Sequence, residues 1–313
     1  MTTLYNLKES ISDKRYFLMG ISIVMIMLYH QLWVFNPLLK PFSYYGYNGA
    51  DLFFFLSGFG LTFSFKGKTP TQFYRRRLSR ILPTCIVCGL CKLLITYFVS
   101  GFPPLVNALL MIFGLDLWFI RALFIFYLFF PLFHHAAERW GEKCLLAVLV
   151  LIPFAFLYTS QDTFSGFYTR IPAFFLGILA AKGMLTINKF TLTAYAIAFF
   201  LSLYLRRLDW LNIWEFRGIL TIYQLLFSIS TPFVLYALTH LYNILHKVLL
   251  ATIFCWLGAF TLELYLWHEY IYHLTDIFIP LSPQNGWQLL TIGFFCSIGF
   301  AFAQYHLMKK LHL

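Results

Sequence analysis

The stretch GADLFFFLSGFGLTFSF, residues 49–65, contains one charged side chain, Asp51, in an otherwise apolar run. A helix rises about 1.5 Å per residue, so a run of this length crosses most of a hydrocarbon layer of ~30 Å. Backbone polar groups in lipid must be satisfied within the segment, which makes a helix the expected structure. The stretch therefore predicts a transmembrane helix that carries an acid near one end.

The rest of the chain has the same character. Of its 313 residues, 60% are hydrophobic and 11% are charged, whereas ordinary globular chains contain about 25% charged residues. The mean hydropathy is +0.75. This composition excludes a single water-soluble core and predicts an all-α, polytopic transmembrane helical bundle, formed by one integral membrane domain over residues 1–313.

Ten apolar runs are long enough to cross a bilayer as helices. They cover residues 16–34, 47–65, 78–98, 117–134, 144–159, 170–186, 190–205, 218–240, 250–272 and 287–307. An eleventh apolar piece, residues 104–115, is too short to span and is interpreted as an interfacial or re-entrant segment.

The distribution of basic residues orients the bundle. With ten spans and an inside N-terminus, the inner segments hold 16 Lys and Arg and the outer segments hold five: Lys40, Arg170, Arg206, Arg207 and Arg217. If residues 104–115 are counted as a span, the inner segments hold 13 Lys and Arg and the outer segments hold 8, which fits the positive-inside rule less well. We therefore expect a multi-pass protein of the cell membrane with both termini in the cytoplasm. The net charge of +11 follows from this topology and does not imply nucleic acid.

Cysteines and tryptophans are interpreted as structural. Cys85, Cys88 and Cys91 lie close to one helical face without a histidine cluster to complete a metal site, so no metal is expected. The tryptophans near span ends are typical of interfacial belts; they are Trp33, Trp118, Trp210, Trp214 and Trp287.

Polar residues inside the spans are the candidates for function, because a charge near a span centre costs at least ~2.5 kcal/mol on insertion scales. His30 lies one turn from the outer end of the first span, and Asp51 lies one turn from the same surface on the second. We expect the two to meet. The other members of the predicted outer cavity are Arg121, Glu263 and His268. For Arg121, and for Lys92 of the third span, a structural ion pair is an equally good explanation.

A basic cluster lies where the third span leaves the cytoplasm, in the sequence FYRRRLSR, residues 73–80. Arg77 and Arg80 are three residues apart and share one helical face. Such clusters are common in membrane proteins, where they only mark the cytoplasmic end of a helix. This cluster also offers guanidinium groups that can bind phosphates in a bidentate manner. Charge alone does not choose between the two.

Six stretches in order resemble membrane acyltransferase family 3: FLMGISIVMIMLYH, GADLFFFLSGFGLT, FYRRRLSRILP, LWFIRALFIFYLFFPLF, RIPAFFLGILAAKG and TLELYLWHEYI. The resemblance extends from about residue 12 to residue 307. Family members carry an Arg and a His in the first span with ten residues between them, and an Arg, two residues, Arg pattern at the third. His30, Arg77 and Arg80 match. Met19 stands where the family usually has Arg, and Arg15, one turn earlier on the same face, can replace that charge.

The resemblance implies transfer of an acyl group, commonly acetyl, from acyl-CoA to a hydroxyl of a cell-surface glycan or related acceptor. Acyl-CoA is then a donor substrate, and no permanently bound cofactor is expected. Arg77, Arg80 and Arg15 would bind its phosphates. His30 would act as general base or accept the acyl group itself, with Asp51 orienting its ring and also facing the helix dipole. The sequence leaves open two other functions, a transporter or lipid-linked glycan flippase and a non-catalytic membrane scaffold.

Overall fold

The computed structural model describes residues 6–32, 45–141, 143, 165–210, 219–279 and 285–311, and most of these residues lie in helices. The thirteen helices among them are α1 Leu7–Asp13, α2 Arg15–Leu32, α3 Gly49–Phe65, α4 Pro70–Ser100, α5 Leu105–Ile112, α6 Trp118–Trp140, α7 Ser165–Tyr168, α8 Ile171–Lys182, α9 Lys189–Trp210, α10 Ile219–Leu245, α11 Leu249–Gly258, α12 Thr261–Phe278 and α13 Gly286–Lys310. The all-helical prediction is confirmed for this part of the chain.

Four of these helices are long and apolar enough to cross a membrane: Pro70–Ser100, Trp118–Trp140, Thr221–Leu245 and Gly286–Lys310. A fifth is added if α11 and α12 together count as one interrupted span. Helices over Arg15–His30, Gly49–Phe65 and Ile171–Lys182 are apolar but shorter. The predicted span 144–159 lies outside the described residues. The count of ten spans and the cytoplasmic placement of both termini stay predictions.

The sequence predicted one unbroken helix over residues 250–272, and the structure corrects this. The helix stops at Gly258 and a new one begins at Thr261, because Phe260 has a non-helical backbone with φ −129° and ψ 39°. A Cβ on Gly258 would lie 1.8 Å from the carbonyl oxygen of Tyr16, so the chain passes directly against α2 here. Hydropathy does not detect such a break, since the residues on both sides of it are apolar.

The chain packs as two compact units. The first unit comprises Met1–Ser22, Asn48–Gly67 and Phe129–Ala259, and the second comprises Ile23–Tyr47, Lys68–Leu128 and Phe260–Leu313. The prediction of one domain was made from composition and stays a prediction.

Within the first unit, α3 and α8 are in backbone contact through two glycines. A Cβ on Gly58 would lie 2.1 Å from the carbonyl oxygen of Phe174, and one on Gly177 would lie 2.0 Å from that of Phe55. Small residues allow this close approach between helices in membranes. The two helices therefore form the tight centre of the first unit.

Within the second unit, α4 is the longest element and is tied to α12 and α13. Its start is fixed by a capping box between Thr69 and Gln72. The indole of Trp267 on α12 donates to Gln304 Oε1 of α13 at 2.7 Å, and Gln304 Nε2 donates to the carbonyl of Thr84 on α4 at 2.7 Å. This buried chain of hydrogen bonds joins the middle of α4 and of α12 to the last third of α13.

Candidate active site

His30 lies near the C-terminal end of α2, in the part of that helix that belongs to the second unit. Its imidazole ring meets that of His268 on α12 edge to face, with centroids 5.0 Å apart and an interplanar angle of 64°. Glu269 and His273, also on α12, act on His30 electrostatically. The structure therefore brings together two of the predicted cavity residues, His30 and His268.

The tautomer of His268 follows from its surroundings. The side chain is fully buried, and its Nδ1 lies 2.8 Å from the carbonyl oxygen of Tyr265 and 3.2 Å from that of Leu264. Because a carbonyl oxygen can only accept, Nδ1 carries the proton and donates. In the neutral ring Nε2 is then an acceptor, and no described residue hydrogen-bonds to it. His268 thus presents a lone pair inside the second unit.

Lys92 on α4 is almost completely buried. Its ammonium lies 4.0 Å from a carboxylate oxygen of Asp116 and 5.6 Å from the ring centre of Tyr270. The hydroxyl of Tyr270 donates to the carbonyl oxygen of Lys92 at 2.9 Å. The charge of Lys92 also acts on His268. Lys92 therefore forms an ion pair, as one of the two explanations from the sequence expected, and a part for it in function stays a prediction.

The arginine pair lies toward the other end of the same helix. Arg77 is half-buried with its guanidinium over the ring of Phe73, and Arg80 is exposed. Partial desolvation and the charges of Arg76 and Arg77 lower the pKa of the Lys68 amine in the preceding loop. This end of α4 is therefore strongly positive, as a phosphate site requires.

Glu263 is buried near the start of α12, five residues before His268, and is therefore not in the same turn as the histidine pair. The cation that acts on it is Arg80. Glu263 therefore belongs with the arginine end of α4. Arg121 is exposed on the first turn of α6 and stays a predicted site residue without a contact to the histidines in the described structure.

Asp51 lies in the first unit, in the first turn of α3. Its carboxylate is 3.9 Å from Nη2 of Arg170, and both side chains are buried. Arg170 also donates to Thr169 Oγ1 at 3.0 Å. The position of Asp51 agrees with the expected interaction with the helix dipole. Its proposed action on His30 stays a prediction.

Arg15 begins α2 in the first unit, and its side chain is exposed. A Cβ on Gly60 of α3 would lie 2.8 Å from Nη2 of Arg15, so the guanidinium rests on that glycine. The described residues contain no cluster of three His, Cys, Asp or Glu side chains able to hold a metal ion.

A family model described as an acyltransferase domain, that of family 3, matches residues 17–306. This match covers nearly the whole chain. The chain belongs to membrane acyltransferase family 3. No curated protein and no solved structure matched it in the comparisons.

His30, Arg77 and Arg80, the site residues that the sequence resemblance predicts for this acyltransferase, all lie within the second unit. Two carboxylates of the same unit, Asp116 and Glu269, were missed by sequence reasoning. Both lie near the ends of predicted spans, 117–134 and 250–272, and only polar residues deeper in the spans were considered as candidates. The sequence LWHEY, in which Glu269 directly follows His268, was the available signal.

Proposed function

We propose that this acyltransferase moves an acyl group, most simply acetyl, from acyl-CoA to a hydroxyl of a cell-surface glycan or related acceptor. The observation that supports the proposal is the layout of α4. Arg80 and Lys92 are twelve residues apart on this helix, a rise of roughly 18 Å. Lys92 acts on His268, whose ring contacts His30. This spacing supports the proposal, because a donor whose phosphates bound Arg80 would need a long arm to reach the histidine pair.

Acyl-CoA is long enough to contact both ends of this arrangement, because its phosphates and its thioester are at opposite ends of the molecule. Its phosphates would bind Arg77 and Arg80, with Arg15 as a further cation that substitutes for the arginine usual at Met19. The pantetheine arm would then extend along α4 and bring the thioester to His30. The protein would hold no permanent cofactor in this scheme, because coenzyme A arrives and leaves with each turnover.

The chemistry then needs one base. An acceptor hydroxyl becomes a competent nucleophile when His30 takes its proton, and imidazole suits this role near neutral pH. The hydroxyl oxygen bonds to the acyl carbon, the carbon–sulfur bond breaks, and the proton passes from His30 to the departing thiolate. A route through an acyl-histidine is chemically equivalent in outcome. Asp51 is proposed to stabilise the charged ring, and Glu269 offers a second carboxylate for the same purpose.

The setting proposed for the reaction is the cell membrane, with both termini in the cytoplasm. Coenzyme A would then enter from the cytoplasmic side and the acceptor from the opposite side. Membrane lipids and a glycan or lipid-linked saccharide are the expected partners.

The test is an incubation of the purified protein with acyl-labelled acetyl-CoA and a membrane glycan extract. Label in the glycan supports the proposal, provided that the His30→Ala protein gives none. Movement of glycan across a vesicle without acetyl-CoA would instead indicate a transporter or flippase. If the protein neither binds acetyl-CoA nor transfers the acyl group, the result would indicate a non-catalytic membrane scaffold.

A further inference from the structure

The histidine pair is part of a closed ring of aromatic side chains in the second unit. On one side, His30 packs on Tyr29 and Tyr29 on Tyr47, with centroid distances of 4.9 and 5.1 Å. Tyr47 packs on Trp118 at 5.7 Å. Each contact lies within the range of favourable aromatic pairs. The end of α2, the residues before α3 and the start of α6 therefore share one aromatic surface.

The other side of the ring returns to His268. Trp118 contacts Phe119 at 6.0 Å, and Phe119 contacts Tyr265 at 4.6 Å. Tyr265 contacts His268 at 5.2 Å, which closes the ring through His30. Phe119, Tyr265 and His268 are at most 5% exposed. This half of the ring is packed interior.

Tyr29, Tyr47 and Trp118 differ, because all three are half-buried and keep part of their surface accessible. We name these three residues the aromatic rim. Binding sites for small molecules are lined largely by apolar and aromatic side chains with a few polar groups that fix orientation. The aromatic rim supplies the first component directly beside His30.

Two carboxylates supply the second component. Glu269 and Asp116 both act electrostatically on Tyr265, and Glu269 also acts on His30. The Asp116 side chain is 32% exposed, and its charge is offset by Lys92 at 4.0 Å. Among the described residues, Glu269 forms no such ion pair with a lysine or arginine. Carboxylates accept hydrogen bonds from hydroxyls and repel anions.

We propose that the aromatic rim seats an uncharged pyranose of the acceptor, and that Glu269 and Asp116 bind its hydroxyls. The apolar C–H face of the sugar would lie on Tyr29, Tyr47 and Trp118, which turns one hydroxyl toward His30. Sugars that carry a carboxylate or phosphate near this hydroxyl would be excluded by Glu269. This inference rests on the proposed function and narrows its acceptor class.

The test compares a galacto-oligosaccharide with an oligogalacturonate of the same length, using saturation-transfer NMR on the detergent-solubilised protein. We expect binding of the neutral sugar and at least tenfold weaker binding of the acidic one. Binding of neither sugar, or preference for the acidic one, overturns the inference. Acetyl-CoA binding and transfer to the glycan extract, measured on the same preparation, report separately on the proposed function.

Two variants locate the site. Trp118→Ala should weaken binding of the neutral sugar at least tenfold and leave acetyl-CoA binding unchanged, while Trp118→Phe should retain most of it. Trp140→Ala, at the exposed far end of α6, is the matched control. Glu269→Lys should make the protein prefer oligogalacturonate over the neutral sugar. Glu269→Gln, which keeps the shape of the side chain, should only reduce the preference for the neutral sugar. An unchanged preference in both Glu269 variants, each confirmed as folded by thermal unfolding, excludes Glu269 from selection.

Discussion

Nη2 of Arg170 lies 3.9 Å from the carboxylate of Asp51, and neither side chain is more than 1% exposed. A buried pair contributes little net stability as a pair, but removal of one partner leaves an uncompensated charge in a medium of low dielectric constant. The acid that stands out in residues 49–65 is therefore bound to the arginine that precedes α8. This pairing gives Asp51 a structural function that is independent of any part in catalysis.

Asp51→Asn should lower the free energy of unfolding by about 3–5 kcal/mol, because Arg170 stays buried without its carboxylate. The double variant Asp51→Asn, Arg170→Gln should recover part of this loss. Thermal unfolding in detergent measures both. If the double variant is stable but still inactive, Asp51 also acts in catalysis; if Asp51→Asn is as stable as the parent protein, the ion pair is dispensable.

The sequence was sufficient to predict the fold class. It was not sufficient to predict which helices are neighbours in the plane of the membrane. Hydropathy gives the depth of a residue along a span, and depth alone made His30 the expected partner of Asp51. Arg170 has a related depth, and the choice between the two depends on which helices are neighbours. For the same reason the sequence placed His30 and His268 in one cavity but did not predict that their rings are in contact.

Packing and surface chemistry account for the other differences. The break at Phe260 lies beside the close contact of Gly258 with Tyr16, which joins residues far apart in the chain. Trp118 was interpreted as part of an interfacial belt, because a tryptophan near a span end is typical of one. Its contact with Tyr47 is a tertiary feature that no local pattern encodes.

His30→Ala should abolish acyl transfer while acetyl-CoA affinity stays within a factor of about two, because the residue is assigned to chemistry. His268→Ala should reduce kcat less, since its ring supports that of His30. His306→Ala, an exposed histidine of α13, is the control and should leave turnover unchanged. Turnover by the His30→Ala protein at the parent rate would remove His30 from the mechanism.

Arg80→Ala and Arg77→Ala should each weaken acetyl-CoA binding by about 1.5–3 kcal/mol, the range for hydrogen bonds to charged groups. Lysine at either position should restore only part, because it lacks the planar fork of arginine. Arg76→Ala is the matched control, since this exposed arginine lies in the same turn of α4. Isothermal titration with coenzyme A measures the affinities. Equal losses for all three variants would mean that only the surface potential matters.

Gly60→Ala tests the position of Arg15. The added methyl group meets Nη2 of Arg15, the flexible end of a side chain, so the guanidinium should move while the fold is kept. We expect a severalfold rise in KM for acetyl-CoA, a similar effect of Arg15→Ala, and rescue of the latter by Met19→Arg. Gly299→Ala, where the added Cβ meets open space, is the control. Unchanged KM in the Gly60→Ala and Arg15→Ala proteins would exclude Arg15 from donor binding.

Orientation in the membrane can be read by cysteine labelling. In a background without the six native cysteines, Lys68→Cys and Lys310→Cys should react with an impermeant reagent only from the cytoplasmic side. Asn285→Cys, at the opposite end of α13, should react only from outside. Reaction of the cysteine at position 310 from outside would contradict the ten-span topology and support the one with eleven spans.

The paired glycines of α3 and α8 have a mechanical consequence. Asp51 and Arg170 each precede their glycine by seven residues, so the ion pair lies about two helical turns along the same seam from the contacts at Gly58 and Gly177. The two backbones touch within one turn, at Gly58 and Gly177, and the salt bridge joins the same two helices about two turns away. We therefore expect α3 and α8 to move together, as one body, in any displacement during turnover.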